Sequence, residues 1–233
     1  MSLSRAKREY IVLSVGGSLI VPGEIDVEFL KSFRAFILDK VRRGFSFYII
    51  IGGGHTARAY QHAGKEARGD LHPEDIDWLG IHATRMNAHL MRALFLDEAQ
   101  ARIVKNPSRK IIAKKPIIIG AGWKPGWSTD YCAVMAAKQL RAKRLINLSN
   151  IDHVYTADPR VDPTAQKIDR IDWESFRKLI PDHWDPGLSS PFDPIAAREA
   201  QELGIEVAVM NGRNLEAFDN YLSDKPFDGT VIY

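Results

Sequence analysis

The feature that most constrains this chain is a junction met three times: a short apolar run, rich in β-branched residues, that ends in a glycine turn. Residues 10–15 run into Gly16-Gly17-Ser18, residues 45–51 into Gly52-Gly53-Gly54, and residues 116–119 into Gly120-Ala121-Gly122. Runs this short and this rich in Ile and Val read as buried strands, not helices. Helical periodicity fills the segments between them. Asp26 is placed to cap a helix reaching Arg43, with Phe29, Leu30, Phe33, Phe36, Ile37 and Val41 on its core face. Pro73 suits the first turn of a longer helix reaching about Leu96 and carrying Ile76, Leu79, Ile81, Ala83, Met86, Leu90 and Leu94. The alternation of strand, turn, helix and strand predicts an α/β fold with a central, mostly parallel sheet.

Further expectations follow from the same signals. A helix over 56–63 gives way to a polar loop over 64–71. Strands are expected over 101–104, 145–148, 166–171, 206–210 and 230–232, the last closing the sheet. Helices are expected from Asp130 to Leu140, with Cys132, Met135, Ala136 and Leu140 on one face, and over 173–180, 193–203 and 214–222. Residues 181–191 read as a mobile loop. No linker-like stretch divides the sequence, so residues 1–233 are expected to form one domain.

Composition narrows the function classes. The net charge of +3 comes from scattered Lys and Arg, which argues against a dedicated nucleic-acid surface. The single cysteine, Cys132, excludes an internal disulfide and a multi-cysteine metal site, and suits a reducing, cytoplasmic setting. With no apolar stretch of 18 residues, a membrane span is not expected. The basic start has no apolar stretch behind it, so a signal peptide is not expected either.

Glycine turns at strand ends suit phosphate. Bare backbone lets N–H groups approach a ligand, and a helix that starts there presents its positive end. Arg58, one turn beyond Gly54, is placed to reach the same anion. No turn matches G-x-x-x-x-G-K-[ST] or G-x-G-x-x-G, so neither a P-loop nor a Rossmann site is indicated. The seven histidines show no metal spacing, and no G-x-S-x-G elbow is present. Asp77 reads by default as a surface carboxylate. Asp130, after Ser128-Thr129, is either a helix-start carboxylate or an organiser of phosphoryl transfer. Tyr155 either packs under its loop or offers a face to a purine ring.

Together these residues resemble the amino acid kinase superfamily, most closely uridylate kinases of archaeal type. The carriers are residues 15–22, Gly52-Gly53-Gly54-His55-Thr56-Ala57-Arg58, residues 80–88, Pro125-Gly126-Trp127-Ser128-Thr129-Asp130, residues 150–159, Asp193-Pro194-Ile195-Ala196-Ala197 and residues 229–232. The resemblance implies a three-layer sandwich and transfer of the ATP γ-phosphoryl group to UMP, with Mg²⁺ bridging phosphates. On it, Gly17, Ser18, Gly54 and Arg58 hold phosphates on the ATP side, and Ser149, Asn150, Tyr155 and Asp158 frame the adenosine. Gly53 and Asp77 hold the acceptor's phosphate and ribose, with Trp123, Lys124, Pro125, Gly126, Trp127, Ser128 and Thr129 around its base. Asp130 matches the organising aspartate, and Arg58 joins it in catalysis. A homo-oligomer, often hexameric, is also implied.

The sequence departs from the family pattern at particular positions. Ser14 stands where many members have lysine, so charge compensation is expected from Mg²⁺ with Arg58, helped by Arg160 or Lys167. Trp123 and Trp127 replace small or polar residues, Ser128 and Ser149 replace threonines, and His153 replaces glycine. These changes leave open a kinase acting on another small phosphate or acid, and a non-catalytic nucleotide- or anion-binding protein of storage type.

Overall fold

The computed structural model describes residues 9–183 and 190–233. In chain order the elements are β1 (Ile11–Val15), α1 (Gly17–Ile20), α2 (Val27–Arg42), β2 (Phe47–Ile51), α3 (Gly54–Ala67), α4 (Pro73–Leu94), β3 (Ile117–Gly120), α5 (Thr129–Leu140) and β4 (Arg144–Ser149). They continue with β5 (Val154–Tyr155), β6 (Lys167–Ile168), β7 (Arg170–Ile171), α6 (Trp173–Arg177), α7 (Pro194–Leu203), β8 (Glu206–Asn211), α8 (Leu215–Leu222) and β9 (Thr230–Ile232).

Seven strands form one sheet in the order β3-β2-β1-β4-β8-β9-β7. The first five run parallel, and β9 joins β8 antiparallel. Alternation along β1 divides the core. Leu13 and Val15 face a cluster with Phe29, Phe33 and Ile37 of α2, Met91 of α4 and Phe218 of α8. Val12 faces the other cluster, with Cys132 and Ala136 of α5, Phe176 of α6 and Ala197 of α7. Helices therefore cover both faces, giving the three layers of an α/β sandwich. Full burial on both sides explains why β2 reads as five consecutive apolar residues. No helix among the described residues is long and apolar enough to cross a membrane.

Several sequence expectations are corrected. The segment over 101–104 is no strand: Ala99 and Val104 each make a single bridge, to Ile117 and Gly120, so the chain only grazes the β3 edge. Helix α3 begins at Gly54 and runs through Gly64 to Ala67. Gly64 breaks nothing; a Cβ there would stand 3.1 Å from Leu79 Cδ1, so its bare Cα lets α3 press against α4. The run over 166–171 divides at Asp169 into β6, which pairs with β5, and β7, which pairs with β9. β7, not β9, ends the sheet. Helix α6 stops at Arg177, short of the expected end at residue 180. The loop expected over 181–191 falls largely on residues 184–189, which lie outside the described residues.

Candidate active site

Because β3, β2, β1, β4 and β8 run parallel, their C-terminal ends share one edge of the sheet, where open α/β folds bind ligands. The turns after β1 and β2 meet there in direct backbone contact. A Cβ on Gly17 would stand 2.0 Å from Gly54 N, and one on Gly52 would stand 2.4 Å from Gly17 N. Gly54 has φ +64°, and a Cβ there would fall 2.3 Å from Gly17 O. The sequence suggested that these glycines make room for a ligand. Their first use in the fold is to make room for each other. The amide of His55 is used similarly, donating to Val21 O at 2.8 Å, which ties the start of α3 to the end of α1. From the start of the second turn of α3, Arg58 reaches back to Ser18, Nη1 to Oγ at 3.4 Å, and is exposed. Gly17, Ser18, Gly53, Gly54 and Arg58 thus come together as expected.

Helix α4 holds the neighbouring loops through polar side chains on its inner face. Asn87, 5% exposed, donates from Nδ2 to Gly52 O at 3.0 Å and Gly53 O at 3.1 Å. Thr84 Oγ1 donates to Ile81 O and accepts the Gly122 amide at 2.8 Å. Arg85 donates to Trp123 O at 2.8 Å, its guanidinium lying over the Trp78 ring. Asp77 is not the surface carboxylate of the default reading. It is 7% exposed, accepts the Gly126 amide at 2.7 Å, and has its pKa raised by burial against the lowering effect of that bond. Sequence reading missed Thr84, Asn87 and the work of Arg85. The available signal was polarity at helical spacing on a face otherwise made of Ile76, Ile81, Ala88 and Met91.

The loop from Trp123 to Thr129 carries a ladder of rings. Trp123 and Trp127 stack with centroids 5.9 Å apart, and Tyr131 lies 4.0 Å beyond Trp127. Lys124 Nζ sits over both indoles, at 4.8 and 5.4 Å from their centroids. Pro125 precedes Gly126, whose φ of +82° turns the loop. Ser128 then caps α5 by accepting the Tyr131 amide, and Thr129 opens the helix.

Asp130 stands on the opposite face of the sheet edge. Its Oδ1 accepts the Ser14 hydroxyl at 2.8 Å and its Oδ2 the Asp193 amide at 3.2 Å. Burial, and then the nearby Asp193 charge, push its pKa up to about 6. Asp130 is therefore not the helix cap; Ser128 is. On the adenosine side, Ser149 ends β4 and its carbonyl accepts the Gly212 amide, while Asn150 is exposed beside it. Tyr155 pairs within the β5–β6 hairpin and meets His153 edge-on. Asp158 accepts from the Arg160 guanidinium through both oxygens, and this holds its carboxyl down to about 2. Arg160 is thereby paired, and Lys167 Nζ stands 3.6 Å from Asp228. Buried His153 has Nε2 3.6 Å from both Asp169 and Asp228.

A parallel sheet with interlocked glycine turns, an arginine on the following helix and an aspartate across the edge defines a phosphate-handling α/β protein of kinase type. The sequence model of the Amino acid kinase family matches residues 9–211. A uridylate kinase of Thermococcus kodakarensis is 32% identical over 225 residues, covering 95% of this chain and 98% of that protein. One from Pyrococcus abyssi is 33% identical over 213 residues, covering 90% and 93%. The crystal structure of uridylate kinase from Archaeoglobus fulgidus superposes with a TM-score of 0.78 at 26% identity, covering 96% of this chain and 99% of that one. The chain belongs to the amino acid kinase family, alongside uridylate kinases of archaeal type.

Proposed function

We infer that this chain is a phosphotransferase that moves the γ-phosphoryl group of ATP to UMP, giving ADP and UDP. The observation that carries the reading is the interlock of the Gly17 and Gly54 turns, in a chain matched almost end to end by uridylate kinases. Phosphoryl transfer through a loose transition state needs two phosphates held in line and charge compensated, with no protein nucleophile. Two turns in backbone contact suit that task, because the separation between them is fixed by the main chain.

In this reading Gly17, Ser18, Gly54 and Arg58 hold the ATP phosphates, and Mg²⁺ arrives as part of the MgATP substrate. Ser149, Asn150, Tyr155 and Asp158 frame the adenosine. Gly53 takes the acceptor's phosphate and Asp77 its ribose, with Trp123 to Thr129 around the base. One oxygen of Asp77 is already engaged by Gly126, which leaves the other for a ribose hydroxyl. Asp130 organises the transfer, and with Ser14 in the usual lysine position Arg58 is the nearest cationic help. The N-terminal part of the single domain is the acceptor side and the C-terminal part the ATP side. The enzyme acts in the cytoplasm, in pyrimidine nucleotide synthesis, as a homo-oligomer, with a hexamer the arrangement to test by mass measurement in solution.

A second reading draws on the Trp123–Trp127–Tyr131 ladder, which occupies part of the loop assigned to the base. There the same chemistry serves another small phosphate or acid. ADP release measured over a panel of nucleoside monophosphates separates the readings: UMP alone supports the first, a different acceptor the second. ATP binding without turnover on any acceptor would leave a binding protein.

A further inference from the structure

Asp130 and Asp193 form a carboxylate pair whose hydrogen bonds are unequal. Both oxygens of Asp130 accept, one from the Ser14 hydroxyl and one from the Asp193 amide. Asp193 is 5% exposed and uses Oδ1 to cap α7, accepting the Ala196 amide at 2.6 Å. Its Oδ2 is buried and meets no hydrogen-bond partner among the described residues. Among the described residues no Lys, Arg or His lies within ion-pair distance of either carboxylate. Two buried carboxylates joined through the Asp193 amide, with no cation beside them, resist being charged together, and in mild acid one site keeps a proton.

The hydrogen bonds say where that proton goes. A proton on Asp130 would turn one of its oxygens into a donor facing a donor, either the Asp193 amide or a Ser14 hydroxyl forced to reverse. A proton on Asp193 Oδ2 breaks no hydrogen bond to that oxygen among the described residues. The other groups facing the pair do not replace it as the proton holder. The Ser128 hydroxyl and the Ile195 amide also face the Asp193 carboxylate and favour its charged form, but burial outweighs them and its pKa is raised. The Cys132 thiol on α5 is pushed by burial up to about 12 and stays neutral, with Arg85 acting on it more weakly. From β4, Asn147 is committed to Pro191 O.

We propose that Asp193 is a positioning residue for Asp130: it carries the pair's single proton on Oδ2, and as a neutral acid it leaves Asp130 ionised between its two donors. Asp193 also fixes Asp130 directly, through its backbone amide. When the last proton leaves to solvent, a second charge appears beside Asp130 and opposes an anionic nucleotide at the same strand edge. The position near 6 found for Asp130 belongs to the pair, and marks where that change falls.

Two experiments test this, the second resting on the kinase reading and the first independent of it. Difference infrared spectra of the free protein at about pH 5.5, with ¹³C-labelled aspartate, should show the carbonyl band of an acid in a dry site. The band should vanish in Asp193→Asn and persist in Asp130→Asn. Its persistence in D193N, or its absence from the wild type, overturns the proposal. In the kinetic arm, the wild-type KM for MgATP should rise about three- to tenfold between about pH 5.5 and pH 8 while that of D193N stays flat. D193N, an amide that mimics the neutral acid and keeps the cap, should hold kcat within about threefold of wild type, whereas D193A loses more. Equal losses in D193N and D193A, or an unchanged pH profile in D193N, overturn it as well. If D193N does not fold, the pH dependence of the labelled band in the wild type decides. With no UMP turnover at all, the infrared arm still separates the two questions.

Discussion

Asp77, in the second turn of α4, accepts the amide of Gly126 across 49 residues of sequence, and so ties the tryptophan loop to a helix that also grips the glycine turns. Asp77→Ala removes that acceptor from a buried position. The KM for UMP should rise about tenfold, the scale of one hydrogen bond to a charged group. Asp77→Asn, which keeps an acceptor, should lose less. Initial rates over a UMP series check both.

Arg58 is exposed and its side-chain contact is the long bond to Ser18. Arg58→Ala should leave the melting temperature nearly unchanged and lower kcat by about 10²–10³, the usual effect of removing one preorganised donor to transferring charge. Unchanged turnover of UMP would remove Arg58 from the mechanism.

Gly54 and Gly126 both have positive φ, but only Gly54 has backbone where a Cβ would go. Gly126→Ala should cost about 1 kcal/mol, the price of left-handed backbone alone. Gly54→Ala should cost more than about 3 kcal/mol, because two turns have to separate. Urea unfolding midpoints distinguish the cases.

Asn87 satisfies two carbonyls at once. Asn87→Ala should destabilise the protein by about 1–3 kcal/mol and lower kcat more than it raises either KM, since the turns remain but lose their fixed placement. Denaturation and steady-state kinetics on the same preparation test the pairing of effects.

Acid dependence of stability follows from the Asp130–Asp193 pair, whose folded value near 6, found at Asp130, lies above the ordinary 3.8. Between those values the native state binds more protons than the unfolded one, so stability falls as pH rises. Relative to Asp193→Asn, which holds no such proton, the wild type should lose on the order of 3 kcal/mol from pH 4 to pH 6.5. The comparison with the variant is needed because Asp26, Asp158 and Asp172, all held low, respond in the opposite direction. Urea midpoints across this range provide the measurement.

The sheet was legible because its strands are buried on both faces and announce themselves as unbroken apolar runs. So was α2, whose phenylalanines recur at helical spacing. What escaped were features set by contact between distant segments. Gly64 looks like a helix breaker until α4 lies against it, and Asp77 and Asn87 look solvated until the loops they hold are folded above them. The run over 166–171 divides because two different partners claim its halves, a choice that local propensity does not encode. In the site, the glycine turns and Arg58 could be found from spacing. The Ser14–Asp130–Asp193 chain could not, because its members come from three separate elements.

The contact between Gly17 and Gly54 has a consequence for how such a protein can change. Side chains around the aromatic loop can be exchanged without altering the span between the two turns, which is a main-chain dimension. Acceptor preference and transfer distance are therefore separable properties of this fold. New acceptors can be sampled by replacing residues along the loop, while any substitution that thickens either turn changes the reach of the reaction itself.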